Sequence, residues 1–136
     1  KRQELAGYAV AIAKAAQYVG AGTVEFLMDA DSGQIFFIEV NPRIQVEHTV
    51  TEQVTGIDIV REQFLIAMGE PISFSQSQVV ERGYAIELRI NAEDPKNNFL
   101  ASPGVVQVYQ SSMGHGVRLD GAVYQGYDPG RNTDRF

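Results

Sequence analysis

The sequence predicts an α+β fold in which an antiparallel sheet is backed by helices. Three observations predict it. Leu5, Tyr8, Ile12, Ala15, Ala16 and Val19 recur at spacings of three and four, the stripe of an amphipathic helix over residues 3–19. Residues 23–40, TVEFLMDADSGQIFFIEV, are two β-rich runs around a turn. Residues 37–48, FIEVNPRIQVEH, alternate polar with apolar side chains, the period of an extended strand.

The first helix is rich in alanine, which favours helix and close packing, and Gly20 and Gly22 supply its stop. In the turn that follows, Asp31-Ser32-Gly33 suits a three-residue hairpin loop with Gly33 at positive φ. If Ala30 pairs with Gln34, Met28 faces Phe36, Phe26 faces Ile38 and Glu25 faces Glu39. Opposed residues of an antiparallel pair share a face. Two adjacent carboxylates repel, so a divalent cation, an arginine or a raised proton affinity should compensate. A one-residue change in the loop would put them on opposite faces.

From Glu39 every second residue is polar: Asn41, Arg43, Gln45, Glu47. In an extended backbone these share one side, and Val40, Pro42, Ile44 and Val46 share the other. The plain reading is an edge strand with its polar side in water. The chemical reading takes Glu25, Glu39 and Asn41 as an all-oxygen set for a hard cation such as Mg²⁺ or Mn²⁺. Arg43 then offers a planar fork for an oxyanion, and Glu47 a base. Metal, anion clamp and base in series suggest acyl or phosphoryl activation of a small anion.

Residues 49–56 predict a short helical turn ended by Gly56, with Thr51 and Glu52 positioning the loop. Asp58 is the N-cap of a second helix over residues 58–68, ended by Gly69, with Val60, Phe64 and Ala67/Met68 as its inner stripe. His48 has no second histidine at a zinc-protease spacing and reads as a structural residue or as one that supports a site residue. Residues 71–80 are a polar connector. Residues 83–94 return to alternation, with Arg89 between Glu87 and Asn91, either a cross-strand ion pair or a second anion donor. Residues 91–98 turn through Asp94-Pro95. Residues 104–110 and 116–120 predict two more short strands, the second preceded by a turn at Gly114 and Gly116.

The whole chain has 136 residues, 44% hydrophobic and 21% charged, one ordinary globular domain long enough to bury a modest core. No cysteine is present, so no disulfide framework or thiolate metal site; this fits a reducing compartment. A net charge of −6 without a basic run argues against nucleic acid. No apolar run approaches the ~20 residues of a membrane span, and no signal-peptide pattern opens the chain. Lysine occurs only at 1, 14 and 96, so phosphates would be handled by arginine, metal ions, backbone amides or residues outside this chain. The abrupt helical start and the aperiodic final residues, 126–136, read as a segment of a longer polypeptide.

FIEVNPRIQVEHTVTE, preceded by GAGTVEFL and followed by TGIDIV and RINAEDP, closely resembles the biotin carboxylase domain of biotin-dependent carboxylases, in the ATP-grasp superfamily. The likeness runs from about Gly20 to about Tyr127, and EVNPR with HTVTE looks most like pyruvate carboxylases. It implies the C-terminal portion of an ATP-grasp fold over residues 1–80 and the start of the biotin carboxylase C-terminal region over 81–136. It implies a ligase that uses ATP and bicarbonate to form carboxyphosphate and then carboxylates biotin on a carrier domain. By residue, it implies metal and ATP binding at Glu25 and Glu39 with Asn41 beside them, and adenine contact at Leu27. Bicarbonate would sit against Arg43, Gln45 and the backbone of Val46. Glu47 would be its base, Arg43 would also steady the biotin enolate, and Arg89 would contact bicarbonate or phosphate.

The implied partners are the biotinyl carrier and a carboxyltransferase domain, in a homo-oligomeric parent that is cytoplasmic or, in a eukaryote, in the mitochondrial matrix. The family domain is about three times this length, so the segment alone should be inactive. GYDPGRNTDRF departs from the family pattern. Two other readings compete: another ATP-grasp ligase such as a carbamoyl phosphate synthetase half, and a non-catalytic interaction module with the same fold.

Overall fold

The computed structural model describes residues 1–128. The chain divides into two compact units, Lys1–Glu87 and Leu88–Phe136. The first holds helix α1 (Arg2–Ala15), strands β1 (Thr23–Met28) and β2 (Ile35–Asn41), and helices α2 (His48–Thr55) and α3 (Ile59–Ala67). The second holds strands β3 (Glu93–Asp94) and β4 (Leu100–Ala101) around a 3-10 turn at Pro95–Asn97.

Helix α1 is shorter than its apolar stripe. It ends at Ala15, not at residue 19, because Gln17 takes a left-handed φ of 52°. Tyr18 N–H returns to Ala13 O at 2.9 Å and Gln17 N–H to Lys14 O at 3.1 Å. These paired bonds satisfy the last carbonyls of the helix, with glutamine where glycine is usual. Gly20 lies beyond the end and not at it. α1 lies against β1, where Tyr8 and Phe26 approach with ring centroids 6.3 Å apart.

β1 and β2 are antiparallel, and Glu25 faces Glu39 as expected. The route to that pairing differs. Asp29 N–H bonds Gln34 O at 2.9 Å, so the loop has four residues, not three. Near the loop Met28 therefore faces Ile35, Leu27 faces Phe36 and Phe26 faces Phe37, not the partners expected above. A bulge between Phe26 and Glu25 leaves Ile38 unmatched and restores the register beyond it. The Asp29 carboxylate closes the loop, accepting from Asp31 N–H, Ser32 N–H and the Ser32 hydroxyl at 2.6–2.9 Å.

β2 does not run on to residue 48. It stops at Asn41, and the backbone bends at Arg43, whose N–H bonds Asn41 O at 2.8 Å. Pro42 has no N–H for a ladder and holds the preceding residue extended, so it ends the strand. The alternation through Glu47 is therefore not a pleat.

α2 closes on Gly56, left-handed at φ 72°, whose N–H bonds Glu52 O at 2.8 Å. Asp58 caps α3 by accepting from Arg61 N–H at 2.8 Å, and the Glu52 carboxylate takes the N–H of Ile59 at 2.6 Å. The inner face of α3 is not the expected stripe. Phe64 and Met68 are each 68% exposed, and Ile59, Glu62, Gln63 and Ile66 instead line a cavity of about 140 Å³ with Gly20 and Phe74. Of the two helices expected to back the sheet, only α1 makes substantial contact with it among the described residues; α3 faces this cavity.

Among the described residues no hydrophobic side chain is fully buried, against the expected core; the one buried side chain is Glu62, 7% exposed. It accepts from Ser73 N–H at 2.8 Å, the Ser73 hydroxyl at 2.6 Å and Arg61 Nη1 at 3.1 Å. The Ser73 donors, with help from Arg61, hold its carboxyl below the usual glutamate value despite burial and the nearby Asp58 charge.

In the second unit the Asp94 carboxylate accepts from Lys96 N–H at 2.9 Å, so the Asp94-Pro95 turn forms as expected. The alternating residues 84–91 and the segments 104–110 and 116–120 are not strands. Ile86, Leu88 and Ile90 are 80–90% exposed. The pattern is present, but a strand exists only where a neighbour completes its ladder. Val106 finds one, its N–H bonding Tyr127 O and its carbonyl accepting from Gly126 N–H, both at 2.8 Å. The unusual tail, 126–136, lies mostly outside the described residues. No helix among the described residues is long and apolar enough to cross a membrane.

Candidate active site

The site is built on the far end of the hairpin from its loop. Glu25 and Glu39 sit opposite each other, and Asn41 lies two residues beyond Glu39 on the same face. The Asn41 amide bridges the two acids, donating to Glu25 Oε1 at 2.8 Å and to Glu39 Oε1 at 3.2 Å. Two carboxylate oxygens thus converge on one positively polarised group. Gln45 Nε2 adds a bond to Glu25 Oε1 at 3.2 Å, although Gln45 is off the strand.

The bend after Asn41 sets the rest. His48 N–H bonds Gln45 O at 3.1 Å, which turns the chain through Val46 and Glu47 into α2. His48 Nδ1 is 2.8 Å from the same carbonyl. A carbonyl only accepts, so Nδ1 carries the proton in that bond. Glu47 is the N-cap residue of α2, yet its side chain makes no capping bond. Arg43 is exposed and gives Nη1 to Ile44 O at 3.1 Å, leaving most of its fork unused by that bond.

The structure therefore brings together Glu25, Glu39, Asn41 and Gln45. It does not put Arg43 and Glu47 on their face by strand pleating; both follow Pro42, where pleating has ended. Leu27 is on β1, exposed, and Val46 is in the turn before α2. Arg89 is exposed and belongs to the second unit. No three histidine, cysteine or acidic side chains gather among the described residues. The cation-type donors are two acids and the Asn41 amide, which also has a carbonyl oxygen. Sequence reasoning missed one contact at this end of α2: Thr49 Oγ1 donates to Glu87 Oε2 at 2.6 Å, across 38 residues, with no local pattern to reveal it.

Comparison with known proteins adds the family. Residues 1–75 match the carbamoyl-phosphate synthase L chain ATP-binding domain, and residues 87–136 match the biotin carboxylase C-terminal domain. Biotin carboxylase 1 of Bacillus subtilis is 50% identical over 93% of this chain, which spans 28% of that relative. Pyruvate carboxylase of Schizosaccharomyces pombe is 50% identical over 89% of this chain and 10% of its own length. The biotin carboxylase domain of 2-oxoglutarate carboxylase from Hydrogenobacter thermophilus, crystallised with MgADP, ADP and bicarbonate, superposes with a TM-score of 0.85 at 46% identity. That match covers 93% of this chain and 28% of that one. A carbamoyl phosphate synthetase half is not favoured, since these relatives are biotin and pyruvate carboxylases. The chain belongs to the biotin carboxylase family, as a partial domain that joins the ATP-binding match over residues 1–75 to the C-terminal match over residues 87–136.

Proposed function

We propose that this segment supplies the metal and bicarbonate side of an ATP-dependent biotin carboxylase, in a protein that carboxylates biotin on a carrier domain through carboxyphosphate. The observation that carries the reading is the convergence of Glu25 and Glu39 on the Asn41 amide. A pair of acids held this close suits a divalent cation better than an isolated surface pair would. That ion, Mg²⁺ by preference over Mn²⁺ given the ligand of the Hydrogenobacter relative, would neutralise charge on the nucleotide phosphates. Glu25, Glu39 and Asn41 would hold it.

The other residues then take the following parts. Arg43 presents a planar fork to bicarbonate and later to the enolate form of biotin. Gln45, tied to Glu25, and the backbone of Val46 complete the anion's cradle. Glu47 takes the bicarbonate proton. Leu27, exposed on β1, offers an apolar surface to adenine, and Arg89 contacts bicarbonate or released phosphate. Residues 1–80 belong to the ATP-grasp domain and 81–136 to the C-terminal region. A carboxyltransferase domain would receive the carboxyl group in a cytoplasmic or mitochondrial homo-oligomer. The pyruvate carboxylase assignment rests on EVNPR with HTVTE.

The test is bicarbonate-dependent ATP cleavage and biotin carboxylation by the full-length protein. Glu47→Gln should lower turnover by about 10²–10⁴-fold while ATP still binds, the range of a positioned general base. Arg43→Ala should abolish carboxylation without unfolding the protein. Full activity in either variant removes the assigned role. The isolated 136 residues should turn over neither substrate.

A further inference from the structure

We infer that Thr49 and Glu87 form a positioning pair that sets the turn carrying Glu47; this rests on the reading of Glu47 as the base. Thr49 is the second residue of α2, two residues after Glu47. Its hydroxyl donates to Glu87 Oε2 at 2.6 Å, and both side chains are partly buried. Glu87 is the last residue of the first unit, so the contact fastens the start of α2 to the far end of that unit's chain.

Two features make this a positioning contact and not an ordinary surface bond. First, a short acceptor side chain at a helix N-cap, such as Asp or Ser, turns its oxygen onto the first free N–H groups. Glu47 does not, so capping does not hold its side chain. A second acid stands at the same turn instead. Glu87 brings negative charge to the positive end of α2 from outside the helix, through the Thr49 hydroxyl. Second, the contact reaches the part of the turn next to Glu47 from outside it. His48 is bonded to Gln45 O by its N–H and by Nδ1, and Val50 N–H reaches Glu47 O at 3.2 Å. These are local to residues 45–50; Gln45 Nε2 ties the start of the turn to Glu25 Oε1 at 3.2 Å, and Arg82 N–H ties the far end of α2 at Val54 O at 2.7 Å. Thr49–Glu87 spans 38 residues and is made two residues after Glu47, in the first turn of α2, so it helps to fix where that turn sits.

Displacement of a reacting group by about 1 Å can cost ~10²-fold. Loss of one restraint on Glu47 should therefore be read in turnover before it is read in stability. The experiment uses the full-length protein with Thr49→Val, Thr49→Ser and Glu87→Ala, measuring biotin carboxylation against bicarbonate and ATP. Thr49→Val keeps the β-branched shape and removes the donor. It should lower kcat about tenfold, leave the KM for ATP and the melting temperature unchanged, and be rescued by Thr49→Ser. Glu87→Ala should match Thr49→Val, and the double variant should lose no more than either alone. Wild-type turnover in Thr49→Val, failure of Thr49→Ser to rescue, or a loss that tracks the melting temperature overturns the inference. Glu47→Gln in the same assay separates the two levels. If it is inactive while Thr49→Val is fully active, only the positioning pair fails; if it is fully active, the reading of the base fails first.

Discussion

The hairpin of the first unit and the stretch 84–91 are written in the same alternating pattern, but they are different objects. In the hairpin, Glu25 and Glu39 are brought face to face by a ladder, a closed loop and a bulge. In residues 84–91 the apolar side chains at 86, 88 and 90 stand in solvent and no strand forms. Alternation states which sides a strand would have. A partner decides whether there is a strand, because the unmatched N–H and C=O groups otherwise bond to water. Chemistry that depends on two side chains sharing a face can be built in the first region and not in the second.

The sharpest way to break that contrast is proline. Asp29 N–H bonds Gln34 O, so alternation puts the next exchanged pair at Leu27 and Phe36. Phe36→Pro removes a ladder donor and should cost about 2 kcal/mol of hairpin stability. Leu88→Pro in the same 136-residue chain should stay within about 0.5 kcal/mol, since no ladder is lost there. Amide exchange across both regions reads the difference. Equal effects would mean that residues 84–91 are paired after all. In the full-length protein, a large effect of Leu88→Pro would show that residues outside this chain supply the missing neighbour.

The same contrast explains what could be read from the residues alone. The facing of Glu25 and Glu39 was legible, but two deviations had to cancel: a loop one residue longer than expected and a bulge at Ile38. Neither has a distinctive local pattern. The end of β2 was signalled by Pro42, and the alternation beyond it hid the signal. The caps at Asp58 and Gly56 were legible because a cap is decided within a few residues. The inner face of α3 was not, because a hydrogen-bonded glutamate took the place that periodicity gives to Phe64 and Met68. Gln45 reaches Glu25 across a bend, and Thr49 reaches Glu87 across 38 residues. Such contacts depend on where the chain folds back, which no spacing states.

A smaller effect concerns what holds the first unit together. Its buried group is an acid, so its stability should respond to pH. The carboxyl of Glu62 is held below its ordinary value of 4.5. The unfolded chain therefore binds a proton at a pH where the folded chain does not. The contribution is fully present above 4.5 and is lost as pH falls through the lower folded value. Glu62→Gln should remove this part of the acid sensitivity and lower the melting temperature at neutral pH, where Ser73 loses a charged acceptor. A melting curve for Glu62→Gln that parallels the parent between pH 7 and 3 would show that Glu62 does not anchor α3.

The smallest effect is at the hairpin loop. Donors on Ser32 and Asp31 hold the Asp29 carboxyl below its ordinary value of 3.8, so the loop's support weakens as pH falls beneath that value. Asp29→Ala removes the acceptor at every pH, while the backbone bonds of Asp29 to Gly33 and Gln34 remain possible. Amide exchange should rise several-fold at Asp31 and Ser32, whose N–H groups lose their acceptor. Glu25 and Glu39 should keep their protection, because the substitution leaves the loop length and the ladder beyond the bulge unchanged. If protection is lost along the whole hairpin, the loop and not the ladder sets the meeting of the two acids. The contrast with residues 84–91 would then reduce to the absence of a comparable loop there.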